Sequence, residues 1–177
     1  MRISLFNLNS LLKKKQNYTE IRLPRTIEST IFEFFLLVEV LVAWVICGYL
    51  WAKVDTIPTH FNAQGEADAW GDPTVLIFFA LMDALVLGLL AYSAYHPKMV
   101  NSTVKVVTIE QHLINARMVR VLGVIVGIMF ILICLKMGGA IFGMSDRVFA
   151  ISMFIIVLMI LGVAIGFSIV IHLKRKR

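Results

Sequence analysis

At 177 residues, with 59% hydrophobic and 16% charged side chains and a mean hydropathy of +0.86, the chain lies far from the roughly half-apolar, quarter-charged balance of soluble domains. This excludes an ordinary soluble domain and makes the lipid bilayer the solvent to reason from. The formal charge of +6 does not signal nucleic acid. Basic residues cluster at the ends of apolar runs, in Lys13-Lys14-Lys15 and Lys174-Arg175-Lys176-Arg177, where they report topology.

Residues 1–30 form a polar, basic arm. Leu5, Phe6, Leu8, Leu11 and Leu12 precede the lysine triplet, a pattern that suits an interfacial helix and is too short for a signal peptide. Residues 31–173 form the membrane domain. A helix rising 1.5 Å per residue needs about twenty residues to cross a hydrocarbon core, which predicts spans at about 31–51, 74–95, 118–137 and 148–171. Asp72-Pro73 reads as the N-cap and first-turn pair of the second span. Thr108 and Gln111 stand at capping-box spacing, so a juxtamembrane helix is expected to run on into the third span. Lys136 to Arg147, with Gly138, Gly139 and Gly143, reads as a short turn, and residues 174–177 form a basic tail. Cys47 and Cys134 fall inside apolar runs and read as packed free thiols.

Lys and Arg flank the spans unevenly. The arm, the connection carrying Lys98, Lys105, Arg117 and Arg120, and the tail are basic, whereas the loop from Lys53 to Asp72 has one basic residue against Asp55, Glu66, Asp68 and Asp72. Positive residues stay on the cytoplasmic side, so the expectation is an all-α, four-span membrane protein. Both termini are then cytoplasmic and the first loop external.

Two features within the spans carry chemistry. Gly123-x-x-x-Gly127 and Gly162-x-x-x-Gly166 let helix backbones approach closely, which predicts packing of the third span on the fourth, with homodimerisation as the competing use. Glu39 and Asp83 fall at nearly equal depth. Asp83 shares its helical face with Ala80, Ala84, Ala91 and Ala94, so it is expected to face the bundle. Such a pair serves either as protonated groups hydrogen-bonded across helices or as a proton or cation relay.

The loop between the first two spans, Ile57 to Pro73, is where specificity facing water can reside. Pro58 biases Ile57 toward extended backbone, and Asn62 to Gly65 suits a turn with positive φ. His60, Asn62 and Asp68 either bond within the loop and hold its shape or form its contact surface, and Trp70 reads as an interfacial anchor. One His with scattered carboxylates (His60, Glu66, Asp68) is a poor metal set. No Ser or Cys here has a base and an orienting group, so neither a hydrolase nor a bound cofactor is expected.

Pro58-x-His60-Phe61-Asn62-x-x-Gly65-x-x-Asp68, followed by Trp70-Gly71 and a second span, resembles the signature of a bacterial multi-pass membrane family of unknown function that includes the immunity protein to the sporulation-delaying toxin. His96-Pro97-Lys98-x-x-Asn101 and the helix from Thr108 are similar to that family's continuation. The resemblance covers roughly Ile31 to Ile131 and implies a non-enzymatic sensor or immunity protein. Its partners would be a secreted peptide toxin and a cytoplasmic repressor or a membrane protein. It implies that Pro58, His60, Asn62, Gly65 and Asp68 form the recognition or shape-determining loop. The chain departs from the family in ending after four spans and in having Ser102-Thr103 where relatives carry an aromatic residue and a proline. The runner-up reading is a small proton- or ion-linked transporter, or an accessory subunit of one, using Glu39 and Asp83. A third is a structural partner working through the glycine-lined helices.

Overall fold

The computed structural model describes residues 23–96, 99–100, 106 and 108–175. The lysine triplet and the rest of residues 1–22, Pro97, Lys98, Asn101 to Lys105, Val107 and the last two tail residues lie outside the described residues, and with them the expected interfacial helix. The elements run α1 (Ile27–Trp51), β1 (Ile57–Phe61), β2 (Ala67–Gly71), α2 (Val75–Ser93), α3 (Ile109–Met137), α4 (Gly139–Phe142) and α5 (Asp146–Arg175). Helices α1, α2, α3 and α5 are each long and apolar enough to cross a membrane, and the chain is a mostly helical, four-span membrane protein. To the all-helical expectation the structure adds one two-stranded antiparallel sheet between α1 and α2.

Local chemistry starts the helices. Thr26 opens α1 with a capping box closed by Ser29, a short Ser variant of a pattern usually completed by Glu or Gln. Thr108 and Gln111 open α3 in the same way, as their spacing predicts. The start of α2 departs from expectation. Thr74 is its N-cap residue, and Asp72 acts one step earlier, its Oδ1 accepting the Thr74 amide at 2.7 Å. The Thr74 hydroxyl and amide hold the Asp72 carboxyl below its usual range. The expected turn after the third span includes one helical turn, α4, which Gly143 ends in left-handed geometry.

Helix α3 is the most buried of the four spans and packs against α1, α2 and α5. Helix α5 is the least buried and packs chiefly along α3. Buried residues of α1 (Leu36, Glu39, Ala43, Cys47, Leu50) and of α2 (Leu76, Ala80, Asp83, Leu87) recur at three- and four-residue steps, the single stripe a helix offers a bundle. Toward the sheet these stripes close a core of Ala43, Cys47, Leu50, Ile57, Leu76, Ala80, Cys134 and Met137. Leu50 and Ile57 are fully buried there, so the foot of β1 belongs to the helical core. Leu50→Ala is expected to cost about 3 kcal/mol through the cavity it leaves, measurable as lower resistance to denaturant in micelles. The two thiols touch, Sγ to Sγ at 3.4 Å, joining α1 to α3.

The glycine pairs serve different neighbours from those their spacing suggested. Gly123 meets Leu36 of α1 and Leu90 of α2, and Gly127 meets Glu39 of α1, so the third-span pair seats the first span. A Cβ on Gly162 or Gly166 would meet no neighbouring helix within 4 Å among the described residues. They line an open groove beside Ile114 and Arg117, so α3 and α5 pack through larger side chains. The third and fourth spans do pack together, while the two glycine pairs do not meet each other among the described residues.

Opposite the sheet, polar side chains join the helix ends. The Arg117 guanidinium binds Glu28 through Nε at 2.8 Å and Nη2 at 2.8 Å. Arg25 pairs with Glu33, which also accepts from the Tyr95 hydroxyl. Arg120 lies over the Tyr95 ring, Lys174 pairs with Glu110, and Gln111 Nε2 donates to the Ile171 carbonyl at 3.3 Å. Charged and polar side chains thus tie the helix ends together opposite the hairpin.

Candidate functional site

The loop between the first two spans folds into a tight hairpin. Gly65 N–H donates to the Asn62 carbonyl at 2.9 Å, Asn62 N–H to the Glu66 carbonyl at 2.9 Å, and Gly65 adopts φ +83. This is a three-residue hairpin connection ending in a left-handed glycine. The Asn62 side chain organises it, with Oδ1 accepting the amides of Gln64 and Glu66 at 3.0 Å each and Nδ2 donating to Glu66 Oε2 at 3.0 Å. Asn62→Ala removes all three bonds. It is expected to cost about 1–2 kcal/mol locally, seen as faster amide exchange over 62–66 with the helical amides unchanged.

The strands pair Ile57 with Gly71, Pro58 with Trp70, His60 with Ala69 and Phe61 with Ala67. Thr59 and Asp68 therefore stand outside the register as irregularities, one on each strand. Such bulges re-aim side chains, and the Asp68 carboxylate meets His60 Nδ1 at 2.5 Å. His60, Asp68 and Trp70 are exposed. Of the two roles open to the loop residues, Asn62 and Gly65 shape the turn, while the His60–Asp68 pair faces outward. His60, Glu66 and Asp68 do not assemble into a group of three metal-ligating side chains among the described residues.

The hairpin lies down on the helices. A Cβ on Gly65 would overlap the Asp146 carbonyl oxygen and stand 3.2 Å from its carbon, so the turn rests directly on the first residue of α5. The Phe61 ring packs against the Phe149 ring with centroids 5.2 Å apart. Lys136, near the end of α3 and buried, lies 5.7 Å from the Phe61 centroid and 5.9 Å from that of Phe149. Its ammonium pairs with Asp146 and reaches the Met144 carbonyl at 3.4 Å. One cation thus joins β1, α3 and α5. In the sequence Lys136 reads only as a flanking charge, and its burial between two aromatic rings depends on a hairpin that hydropathy does not reveal.

Beneath the hairpin, α2 and α5 diverge and leave a cavity of about 680 Å³. Its roof is formed by Pro58, His60, Phe61, Asn62 and Gly65. Its walls are Val75, Phe78, Phe79 and Met82 of α2 and Phe149, Ala150 and Met153 of α5, and α3 supplies Ile133 and Met137. The volume and the apolar lining with a few convergent polar groups match those of small-ligand sites, and flexible methionines let such a wall adapt to different shapes. A smaller cavity, about 500 Å³, lies on the other side of the hairpin and brings Glu66, Trp70, Lys136 and Asp146 together.

The intramembrane acids lie deeper. Both face the bundle, as the alanine face of Asp83 predicts, and Asp83 is fully buried. Glu39 Oε2 and both Asp83 oxygens have no partner among the described residues.

A sequence profile described as a domain of unknown function (DUF1648) matches residues 39–82, from Glu39 through the whole hairpin to Met82, the residue before Asp83. No curated protein and no solved structure matches the chain.

Proposed function

We propose that this chain is a sensor or immunity-type binding protein of a bacterial cytoplasmic membrane, taking an extracellular peptide or small apolar ligand beneath its first external loop. The supporting observation is the cavity of about 680 Å³ roofed by the hairpin and walled by α2, α3 and α5. His60 and Asn62 stand at its polar edge, and phenylalanine and methionine side chains offer an apolar bed for a hydrophobic segment. The uneven placement of Lys and Arg supports an external hairpin with both termini in the cytoplasm. The likeness of the loop to the immunity family names a secreted peptide toxin as the ligand class, with a cytoplasmic repressor or a membrane protein as the receiving partner. Binding, rather than catalysis, is the activity.

The test uses cells expressing the full chain, challenged with the sporulation-delaying peptide. Resistance is expected, and it should be lost in Ala150→Trp, which fills the cavity, and weakened in His60→Ala, both at wild-type membrane levels. Resistance unchanged in Ala150→Trp removes the cavity from the reading, and no protection by the wild-type chain removes the toxin. The transporter reading draws on one observation, the unpartnered acids in the spans.

A further inference from the structure

Glu39 and Asp83 sit in the part of the molecule least able to hold charge. Glu39 is 8% exposed and Asp83 is 0% exposed, each near the middle of its helix. Three of their four carboxyl oxygens are buried without a hydrogen-bond partner among the described residues. An ionised carboxylate in that setting costs several kcal/mol or more unless it is paired. The ion pairs among the described residues involve neither acid. Among the described residues, the titratable group beside Glu39 is Asp83, and those beside Asp83 are Glu39, Cys47 of α1 and Cys134 of α3; none is a cation.

The pocket for Glu39 is cut from a neighbouring helix. A Cβ on Gly127 would overlap Glu39 Oε2 and stand 2.7 Å from its Cδ, so the carboxyl occupies the space left by a missing side chain on α3. Calcium and magnesium take six or more oxygen ligands. Here three carboxyl oxygens are free and the nearby groups are thiols, while the helical carbonyls are engaged in their own ladders. The ligand such a site takes is the proton.

We propose that Glu39 and Asp83 form a proton-binding site whose occupancy keeps α1, α2 and α3 packed, and whose deprotonation loosens this three-helix contact. The inference is independent of the ligand reading at the hairpin. It also narrows the transport alternative to a proton-responsive packing element. Because the packed state holds more protons than the opened one, its stability falls as pH rises.

The experiment follows the full-length protein in phosphatidylcholine–phosphatidylglycerol vesicles from about pH 6 to about pH 9, the range in which buried acids titrate. Two measurements are made on the wild type, E39Q, D83N and the double variant. The first is the infrared carbonyl stretch of protonated carboxylic acid, taken as the difference between wild type and the double variant. The second is the thermal midpoint. The wild type is expected to show the protonated-acid band at neutral pH and to lose about 5 °C across the range, while the double variant, with two uncharged amides, keeps its midpoint. Absence of the band at about pH 6, or an equal pH response in the double variant, overturns the proposal. Stabilisation at high pH by sodium or lithium, absent in the double variant, overturns the proton as ligand. If the double variant does not fold, E39Q and D83N alone are each expected to remove part of the band and part of the pH response, and the failure of both to do so overturns the site.

Discussion

Gly65→Ala is expected to detach the hairpin from the bundle. Two costs coincide at this position. The backbone holds φ +83, a left-handed geometry that costs a residue with a side chain about 1 kcal/mol. The added methyl would also overlap the backbone carbonyl of Asp146, which cannot rotate away as a side chain can. Either the turn changes type and loses the Asn62 network, or the hairpin lifts from α5. The expected loss is about 3 kcal/mol, in the range for local strain combined with overpacking. Calorimetry measures it, and quenching of Trp70 by a soluble acceptor reports the lifted hairpin. Unchanged stability and quenching would show that the turn is not seated on α5.

The second large effect is an asymmetry at the buried cation. Asp146→Asn leaves Lys136 charged between Phe61 and Phe149 with only a carbonyl for company, and removing one partner of a buried pair costs about 3 kcal/mol or more. Lys136→Met keeps an apolar stem between the rings and leaves Asp146, half exposed, able to turn to water. It should cost about 1 kcal/mol or less, since replacing a buried charge with an apolar side chain of similar volume is often neutral. The double variant Lys136→Met/Asp146→Asn should lie close to Lys136→Met alone. Thermal midpoints of the three variants decide the matter, and equal losses in both single variants would contradict the argument.

The four spans were legible because a bilayer demands length and hydropathy before anything else, and the Thr108–Gln111 cap because its chemistry is local. Asp83 was placed correctly on its inward face because alanines mark a helix–helix contact from within one helix. The glycine pairs are less legible for the converse reason. Spacing shows that Gly123, Gly127, Gly162 and Gly166 permit close approach but not which helix approaches, and Gly127 receives a carboxyl while Gly162 and Gly166 receive no neighbour among the described residues. The hairpin was half legible. Pro58 and Gly65 announced an extended entry and a turn, but paired strands of five residues each, with an irregularity on either side, leave no alternating pattern strong enough to read. Thr26 carries no strong signal in the sequence because Ser29 closes its box where Glu or Gln is the usual residue, and neither does Lys136, whose partners come from separate segments of the chain.

The one-sided contact of α5 has a mechanical consequence. A helix of 30 residues is about 45 Å long, and this one leans on a single long neighbour. It is pinned near its start by the hairpin turn and Lys136, and near its far end by Gln111 and Glu110. It therefore has the form of a lever with a clasp at each end. A tilt of about 5° would carry one end through about 4 Å at this rise per residue, enough to change the width of the space beneath the hairpin and to strain the clasp on the opposite side of the membrane.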